Sequence, residues 1–246
     1  MKEERFEKIL ELLSDGNFVS VESLSRQLYV SMPTIRRDLT AMQKMGLVAR
    51  SHGGVIRVTG LDAPPISFRL GVNSGEKLRL ADEAAKFLQD DSVIFLDEST
   101  TTLHIIDHLQ KYKNIRVITN SMSVLQNLYR YSIQAYCLGG ELSRDTLSFY
   151  GRDAENMVRR FGIDIMFFSS SAVNRKGWIV DYSEGANSLR RCVLEQAEKK
   201  VFLCDKSKFG KHGAYTLAAV SEVDHLILNA PLPEDIDSGN AEIIIV

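Results

Sequence analysis

The segment Val19–Leu39 reads VSVESLSRQLYVSMPTIRRDL, two short helices joined by a tight turn, and it constrains the fold more than any other stretch of the chain. Ser31 opens the second helix with a hydroxyl able to cap free backbone N–H groups. Pro33 fits the first turn because no hydrogen-bond partner is lost there, and Gly46 supplies the stop. The helix is therefore expected from Met32 to Met45. At about 100° per residue, Ile35, Leu39 and Met42 share one face, Pro33, Arg37, Thr40 and Lys44 point the opposite way, and Arg36 sits on a flank. One side packs and the other is cationic, which suits entry into a DNA groove. A basic face can also be merely solvated, and three neighbouring features weigh against that reading here.

Phe6, Ile9, Leu10 and Leu13 recur at i, i+3, i+4, i+7 and predict a preceding amphipathic helix, able to build a three-helix core with Leu24 and Leu28. Leu47–Arg50 and Val55–Val58 flank the turn Ser51-His52-Gly53-Gly54, a pair of short strands resembling a wing. Residues 20–58 carry six basic side chains (Arg26, Arg36, Arg37, Lys44, Arg50, Arg57) against two acidic ones (Glu22, Asp38), a local charge of +4 in a chain whose net charge is −2. A protein that coats nucleic acid nonspecifically draws most of its affinity from phosphate neutralisation and is poorly served by a negative total. Positive charge confined to one end fits a small DNA reader attached to a larger module.

With 246 residues, 44% hydrophobic and 25% charged, the chain can bury a large core in one or two domains. No apolar run approaches the ~20 residues that span a bilayer, and Met1–Arg5 leads into no apolar signal segment, so a cytoplasmic location and no membrane partner are expected. Cys137, Cys192 and Cys204 are odd in number and widely separated, and are read as core residues rather than a disulfide framework or a metal site.

Thr59–Pro65 lacks periodicity and contains consecutive prolines, which favour an extended connection; a linker is expected over 59–73. Beyond it, helices expected over Gly75–Leu88, Thr102–Leu109, Ser123–Tyr131, Ala154–Phe161 and Glu184–Lys199 alternate with apolar strands. The strands are expected at Ser92–Asp97, Ile115–Thr119, Gln134–Leu138, Ile163–Phe168, Lys200–Cys204, Asp224–Leu228 and Glu242–Val246. Strands apolar on both faces and separated by helices call for a mainly parallel sheet with helices on each side.

In such sheets ligands gather at the carboxyl ends of the strands. There the chain sets Asp97-Glu98-Ser99-Thr100-Thr101-Thr102, Thr119-Asn120-Ser121, Leu138–Arg144 and Cys204–Gly210. Hydroxyls and free backbone N–H groups at a helix start favour an anion such as phosphate. Taken singly, Ser99–Thr102 can simply cap a helix, Gly139-Gly140 can simply turn the chain, and Lys206 or Lys208 can simply be solvated. Four such clusters on successive strand ends point to one shared rim.

Residues 2–58 resemble the winged helix-turn-helix of the DeoR family of bacterial transcriptional repressors, through Arg5, Ile9, Leu13, Val19–Leu24, Thr34–Leu39, Gly46-Leu47 and His52–Gly54. The later part resembles that family's effector domain, through Glu76-Lys77, Asp97 with Thr100–Thr102, Thr119-Asn120, Gly139-Gly140 with Arg144, Gly151, and Asp205 with Ser207–Gly210. The resemblance implies an α/β chain: a winged helix-turn-helix domain over 1–58, then a mainly parallel-sheet α/β domain over 74–246 similar to ribose-phosphate isomerases. It implies an operator in double-stranded DNA as one partner and a phosphorylated sugar as effector. It further implies a homo-oligomer, dimer or tetramer, because such proteins read paired half-sites.

By the same resemblance Thr34, Arg36 and Arg37 are the foremost DNA contacts, with Ser20, Ser31, Pro33, Lys44, Arg50 and His52 around them. Thr100–Thr102 and Lys208 would help hold phosphate, Asp97, Asn120 and Asp205 would meet hydroxyls or order the pocket, and Glu98, Ser99 and Arg144 complete the set. The chain departs from the family pattern at Ser99, where glycine is usual, at Ser169 and Ser171, in a usual Gly-Ala-Asp segment, and at Leu189, where lysine is frequent. An isomerase or hydrolase on the same sheet is one rival reading, resting on Asp97, Glu98, Asp181, Glu184 and several lysines, and a regulator that has lost effector binding is another, resting on Ser99, Ser169 and Leu189. No nucleophile, base and orienting group stand at a recognisable spacing, so no enzyme and no cofactor are expected. His104 and His108 stand i, i+4 without a further ligand pattern, and no metal is expected.

Overall fold

The computed structural model describes residues 2–13, 18–51, 54–58 and 66–246, in two compact units, Met1–Asn73 and Ser74–Val246. The first unit begins with α1 (Lys2–Leu12), β1 (Val19–Ser20), α2 (Val21–Leu28) and α3 (Met32–Lys44). It continues through β2 (Val48–Ser51) and β3 (Gly54–Arg57) to α4 (Ile66–Gly71). Phe6, Ile9, Leu13, Leu24, Ile35, Leu39 and Met42 are buried together, so the predicted apolar stripes of three helices do converge. The strands form an antiparallel sheet in the order β1-β3-β2, with Arg50 opposite Val55.

Asp38 on α3 turns inward and accepts a two-pronged pair from Arg5 on α1, at 2.5 Å from Nε and 3.1 Å from Nη2. That pair ties the first helix to the third through charge-assisted bonds. Ser20 caps α2, its hydroxyl accepting from the Ser23 N–H at 3.0 Å. Ser31 departs from expectation. It occupies the N-cap position of α3 without a side-chain cap bond, because its hydroxyl pairs instead with the Thr34 hydroxyl at 2.9 Å. The helix stops at Lys44, one residue short of the predicted end, and Gly46 at φ +72° closes it in the left-handed region that glycine enters freely.

Thr59–Pro65 lies outside the described residues. The remainder of the expected linker is not extended: α4 covers Ile66–Gly71, and Phe68 is buried, stacked on Phe6 at 6.2 Å between ring centroids. An apolar ring next to a helical core outweighs the extended bias that the prolines lend to the segment before it.

The second unit runs α5 (Ser74–Ala84), β4 (Val93–Leu96), a 3-10 helix (Thr102–Lys111), β5 (Arg116–Thr119), α6 (Met122–Leu128) and β6 (Gln134–Cys137). A hairpin of β7 (Glu141–Ser143) and β8 (Ser148–Tyr150) then leads into α7 (Arg152–Val158), β9 (Ile163–Phe168), β10 (Ala172–Val173), β11 (Trp178–Asp181) and α8 (Glu184–Leu194). The chain closes with β12 (Ala197–Cys204), β13 (Tyr215–Ala219), β14 (His225–Leu228) and β15 (Glu242–Ile245). Seven strands form one parallel sheet in the order β15-β14-β12-β9-β4-β5-β6. Alternate residues enter opposite cores: Phe95, Met166, Phe168 and Phe202 on one face, and Ile94, Leu96, Ile165, Phe167, Val201 and Leu203 on the other. Burial on both faces is why these strands read as unbroken apolar runs.

Several boundaries differ from expectation. The helix expected over Glu184–Lys199 ends at Leu194, and Ala197–Lys199 extend β12 instead, paired along β9. The helix after Thr102 is 3-10 rather than α. The antiparallel set β10-β11-β13 and the β7-β8 hairpin carry no sequence signal long enough to predict. Cys192 and Cys204 are buried, but Cys137 is exposed at the end of β6, an outer strand of the sheet, so only two of the three are core residues. Among the described residues no helix is long and apolar enough to cross a membrane.

Candidate functional sites

On α3 the buried residues Ile35, Asp38, Leu39 and Met42 fix the inner face. Pro33, Arg36, Arg37, Thr40 and Lys44 are exposed, while Thr34 and Ser20 are half-buried. Neither Arg36, Arg37 nor Lys44 has an ion-pair partner among the described residues. Arg50, exposed on β2, reaches across to α3, where its Nη1 donates to the Thr40 hydroxyl at 2.9 Å, and that hydroxyl donates to the Arg36 carbonyl at 2.8 Å. The strand cation is thereby held over the outer face of the helix. His52 lies outside the described residues.

In the second unit the strand order reverses between β4 and β9: the chain proceeds from β4 outward to β5 and β6, then returns to the other side of β4. Such a switch leaves a crevice at the carboxyl ends of the two strands. Asp97 follows β4 and Ser169 follows β9, and the Ser169 N–H donates to Asp97 Oδ2 at 3.1 Å across that switch. Asp97, Glu98, Ser99, Thr100, Thr101, Thr102, Asn120 and Asp205 are all buried there. Lys208 is half-buried and donates from Nζ to the Ser169 hydroxyl at 2.7 Å. Arg144 does not join them. It is exposed in the turn of the β7-β8 hairpin, because only the Ser148–Tyr150 arm of that hairpin lies against Asn120 and Ser121.

The group that organises this cluster is Arg190, which lies outside the strand-end motifs. From α8 it donates to three carboxylates: Nε to Asp97 at 3.2 Å, Nη1 to Asp181 at 2.9 Å and Nη2 to Glu98 at 2.5 Å. A signal for it exists, since Ala186, Leu189, Arg190 and Val193 form an i, i+3, i+4, i+7 stripe in which arginine is the intruder. Burial works against the Arg190 charge, but Glu98, Asp97 and Asp181 more than restore it and raise its pKa further. Burial likewise opposes ionisation of Asp181, yet Arg190 and the Ser171 hydroxyl hold its carboxyl below the usual range. Glu98 goes the other way: burial, seconded by Asp97, lifts its pKa in spite of Arg190.

The departures from the family pattern have local uses. Ser99 pairs with the Thr102 hydroxyl at 2.9 Å and accepts from the Thr102 N–H, Ser171 donates to Asp181 at 2.9 Å, and Leu189 is core. Burial raises the Asp205 carboxyl, but Lys208, the Ser207 hydrogen bonds and Lys77 outweigh it and leave its pKa lowered. His104 and His108 stand on a 3-10 helix, where i and i+4 no longer share a face, and His108 pairs with Asp82 at 2.8 Å. Among the described residues no group of His, Cys, Asp and Glu is arranged to hold a metal ion.

An outward cationic helix on a winged three-helix core, joined to a parallel-sheet unit with a sealed polar cluster at its switch point, defines a DNA-binding regulator with a sensing module. Residues 5–60 match the DeoR-like helix-turn-helix domain, and residues 72–230 match the DeoR C terminal sensor domain. The chain belongs to the DeoR family of transcriptional regulators. It is 32% identical over 246 residues to the HTH-type transcriptional regulator GlpR of Haloferax volcanii, covering 98% of this chain and 96% of that protein. It is 27% identical over 231 residues to the glycerol-3-phosphate regulon repressor of Escherichia coli, covering 94% and 92%. Among solved structures, ribose 5-phosphate isomerase A of Methanocaldococcus jannaschii overlaps 56% of this chain and 55% of its own, at 22% identity and a TM-score of 0.42. A likeness of that size carries no argument about activity.

Proposed function

We propose that the chain is a repressor of a carbohydrate-metabolism operon, released from its operator when a phosphorylated sugar occupies the carboxyl edge of the parallel sheet. Residues 1–58 read DNA, residues 74–246 sense the metabolite and oligomerise, and a homodimer or homotetramer in the cytoplasm engages paired half-sites. One observation carries the reading: Arg36, Arg37 and Lys44 stand exposed on the outer face of a helix whose inner face is buried, without an ion-pair partner among the described residues. On this reading Thr34, Arg36 and Arg37 enter the major groove, and Ser20, Ser31, Pro33, Lys44, Arg50 and His52 meet the backbone around them. The ligand is held among Asp97, Glu98, Ser99, Thr100, Thr101, Thr102, Asn120, Asp205 and Lys208.

The names of the relatives, one of them a repressor of a glycerol-3-phosphate regulon, support a phosphorylated ligand. We infer no catalysis. Asp97 accepts from Ser99 N, Thr102 Oγ1, Ser169 N and Arg190 Nε, as a structural acceptor at the switch point would, and the relatives are named as transcriptional regulators. The test is a gel-shift of a duplex from the chain's own upstream region, repeated with a panel of sugar phosphates. Selective binding that one of them weakens supports the proposal, and binding no tighter than to a scrambled duplex contradicts it.

A further inference from the structure

Three carboxylates and one guanidinium share a sealed space at the carboxyl edge of β4. The side chains of Asp97, Glu98, Asp181 and Arg190 are between 0% and 9% exposed, so two negative charges stand in formal excess. Buried charge without compensation is costly and calls for a partner. Asp97 has four donors and Asp181 accepts from Arg190, Ser171 and the Tyr182 N–H, so neither is short of partners. Glu98 carries fewer: Oε1 meets Arg190, Oε2 meets Asn120 Nδ2 at a long 3.3 Å, and the carboxyl also takes its own backbone N–H.

Asn120 supplies the independent observation. It is fully buried, and its Oδ1 has no hydrogen-bond partner. The amide cannot be turned to cure this, because Nδ2 donates to the Phe149 carbonyl at 3.2 Å as well as to Glu98, and a turned amide would set its oxygen against two acceptors. The Asn120 carbonyl, beside the Glu98 carboxylate that its own amide nitrogen meets, thus lacks a donor. A ligand hydroxyl would fill the hydrogen-bond vacancy and leave the charge excess. A protonated amine fills both. The other groups around Glu98 are Asp97, Asp181, Arg190 and the Tyr150 phenol, whose hydroxyl is already paired with Thr146 at 3.2 Å. Across the switch stand cations: Lys208 Nζ reaches the Ser169 hydroxyl at 2.7 Å, and Lys208 and Lys77 both draw the Asp205 pKa down.

We propose that Glu98 and Asn120 form a subsite for a ligand ammonium group, and that the effector is a phosphorylated amino sugar whose phosphate lies on the Lys77–Lys208 side. This rests on the sensing role proposed above and names its ligand class. It is tested by titration calorimetry of the full chain with glucosamine 6-phosphate against glucose 6-phosphate, and galactosamine 6-phosphate against galactose 6-phosphate. In at least one pair the amino compound should bind about tenfold tighter. Glu98→Gln should shrink that ratio to about twofold, and Asn120→Ala, which removes the unpartnered carbonyl, should shrink it as well. Circular dichroism melts of both variants establish that they fold, and either variant alone decides the question. Equal affinity for amino and hydroxy compounds, or a ratio that neither variant moves, overturns the ammonium subsite and leaves sugar-phosphate sensing standing. Binding of none of the four overturns both.

Discussion

Arginine does opposite work in the two units. On α3, Arg36 and Arg37 are exposed and have no acidic partner among the described residues, whereas on α8 Arg190 is buried against three carboxylates. The first arrangement leaves its charge available to a phosphate or a base edge, and the second consumes it within the fold. Counting cations along the chain does not separate the two. What separates them is whether the helix face that carries the arginine also carries the buried apolar residues.

The contrast breaks most decisively at Arg190. Arg190→Met removes the only guanidinium from three buried carboxylates and should cost about 3–5 kcal/mol in urea unfolding, the range for a buried pair that loses one partner. A loss below about 1 kcal/mol would mean that the cluster is hydrated rather than sealed. Arg37→Ala should do the reverse: stability changes by no more than about 0.5 kcal/mol. Its operator affinity falls by about 1–3 kcal/mol if the guanidinium meets a base edge, with relaxed discrimination at one position. A uniform loss across sequences, seen as a shallower salt dependence, would assign Arg37 to phosphate instead.

Within the first unit, Ser20 and Ser31 sharpen the comparison on a smaller scale. Ser20→Ala should cost about 1 kcal/mol of stability, because it frees the Ser23 N–H, and Ser31→Ala should cost distinctly less, since no cap bond is lost. Thermal unfolding of the two variants decides which serine caps.

The smallest effect is a pH slope. Burial, with Asp97 and Asp181, holds the Glu98 carboxyl above its ordinary 4.5 against the pull of Arg190. Its contribution to stability is therefore complete below pH 4.5 and is lost as pH rises through the folded value. Asp181 and Asp205 are held below their ordinary 3.8, so theirs is present above pH 3.8 and is lost only as pH falls beneath it. Melting temperatures taken upward from pH 4.5 should fall less steeply in Glu98→Gln than in the parent chain, and identical slopes would place the Glu98 ionisation elsewhere.

Much of this architecture is legible in the sequence where local pattern and tertiary environment agree. β9 spans Ile163–Phe168 as its apolar run, interrupted only by Asp164, predicts, and α3 falls within one residue of its expected bounds because proline and glycine punctuate it. Strand-end polar residues such as Asp97, Asn120 and Asp205 could be located because a parallel sheet gathers its carboxyl ends on one edge. Arg190 could not be read as the centre of the cluster, since its partners come from β4 and β11 and are 9 to 93 positions away. Arg144 misled for a related reason: it follows a glycine pair in a hairpin whose two arms differ in burial, and two- or three-residue strands leave no periodicity to show which arm packs. Phe68, behind two prolines, was hidden by its neighbours, as was α4 around it.

The central claim is that the exposed outer face of α3 reads a duplex. Fluorescence anisotropy with the full chain tests it most directly, using the duplex upstream of its own reading frame and a scrambled duplex over a potassium chloride series, for the parent and for an Arg36→Ala, Arg37→Ala double variant. The account predicts selective, salt-dependent binding by the parent, and a folded double variant of unchanged melting temperature that no longer prefers its own duplex. Retained preference in that variant, or equal binding of both duplexes by the parent, would contradict it.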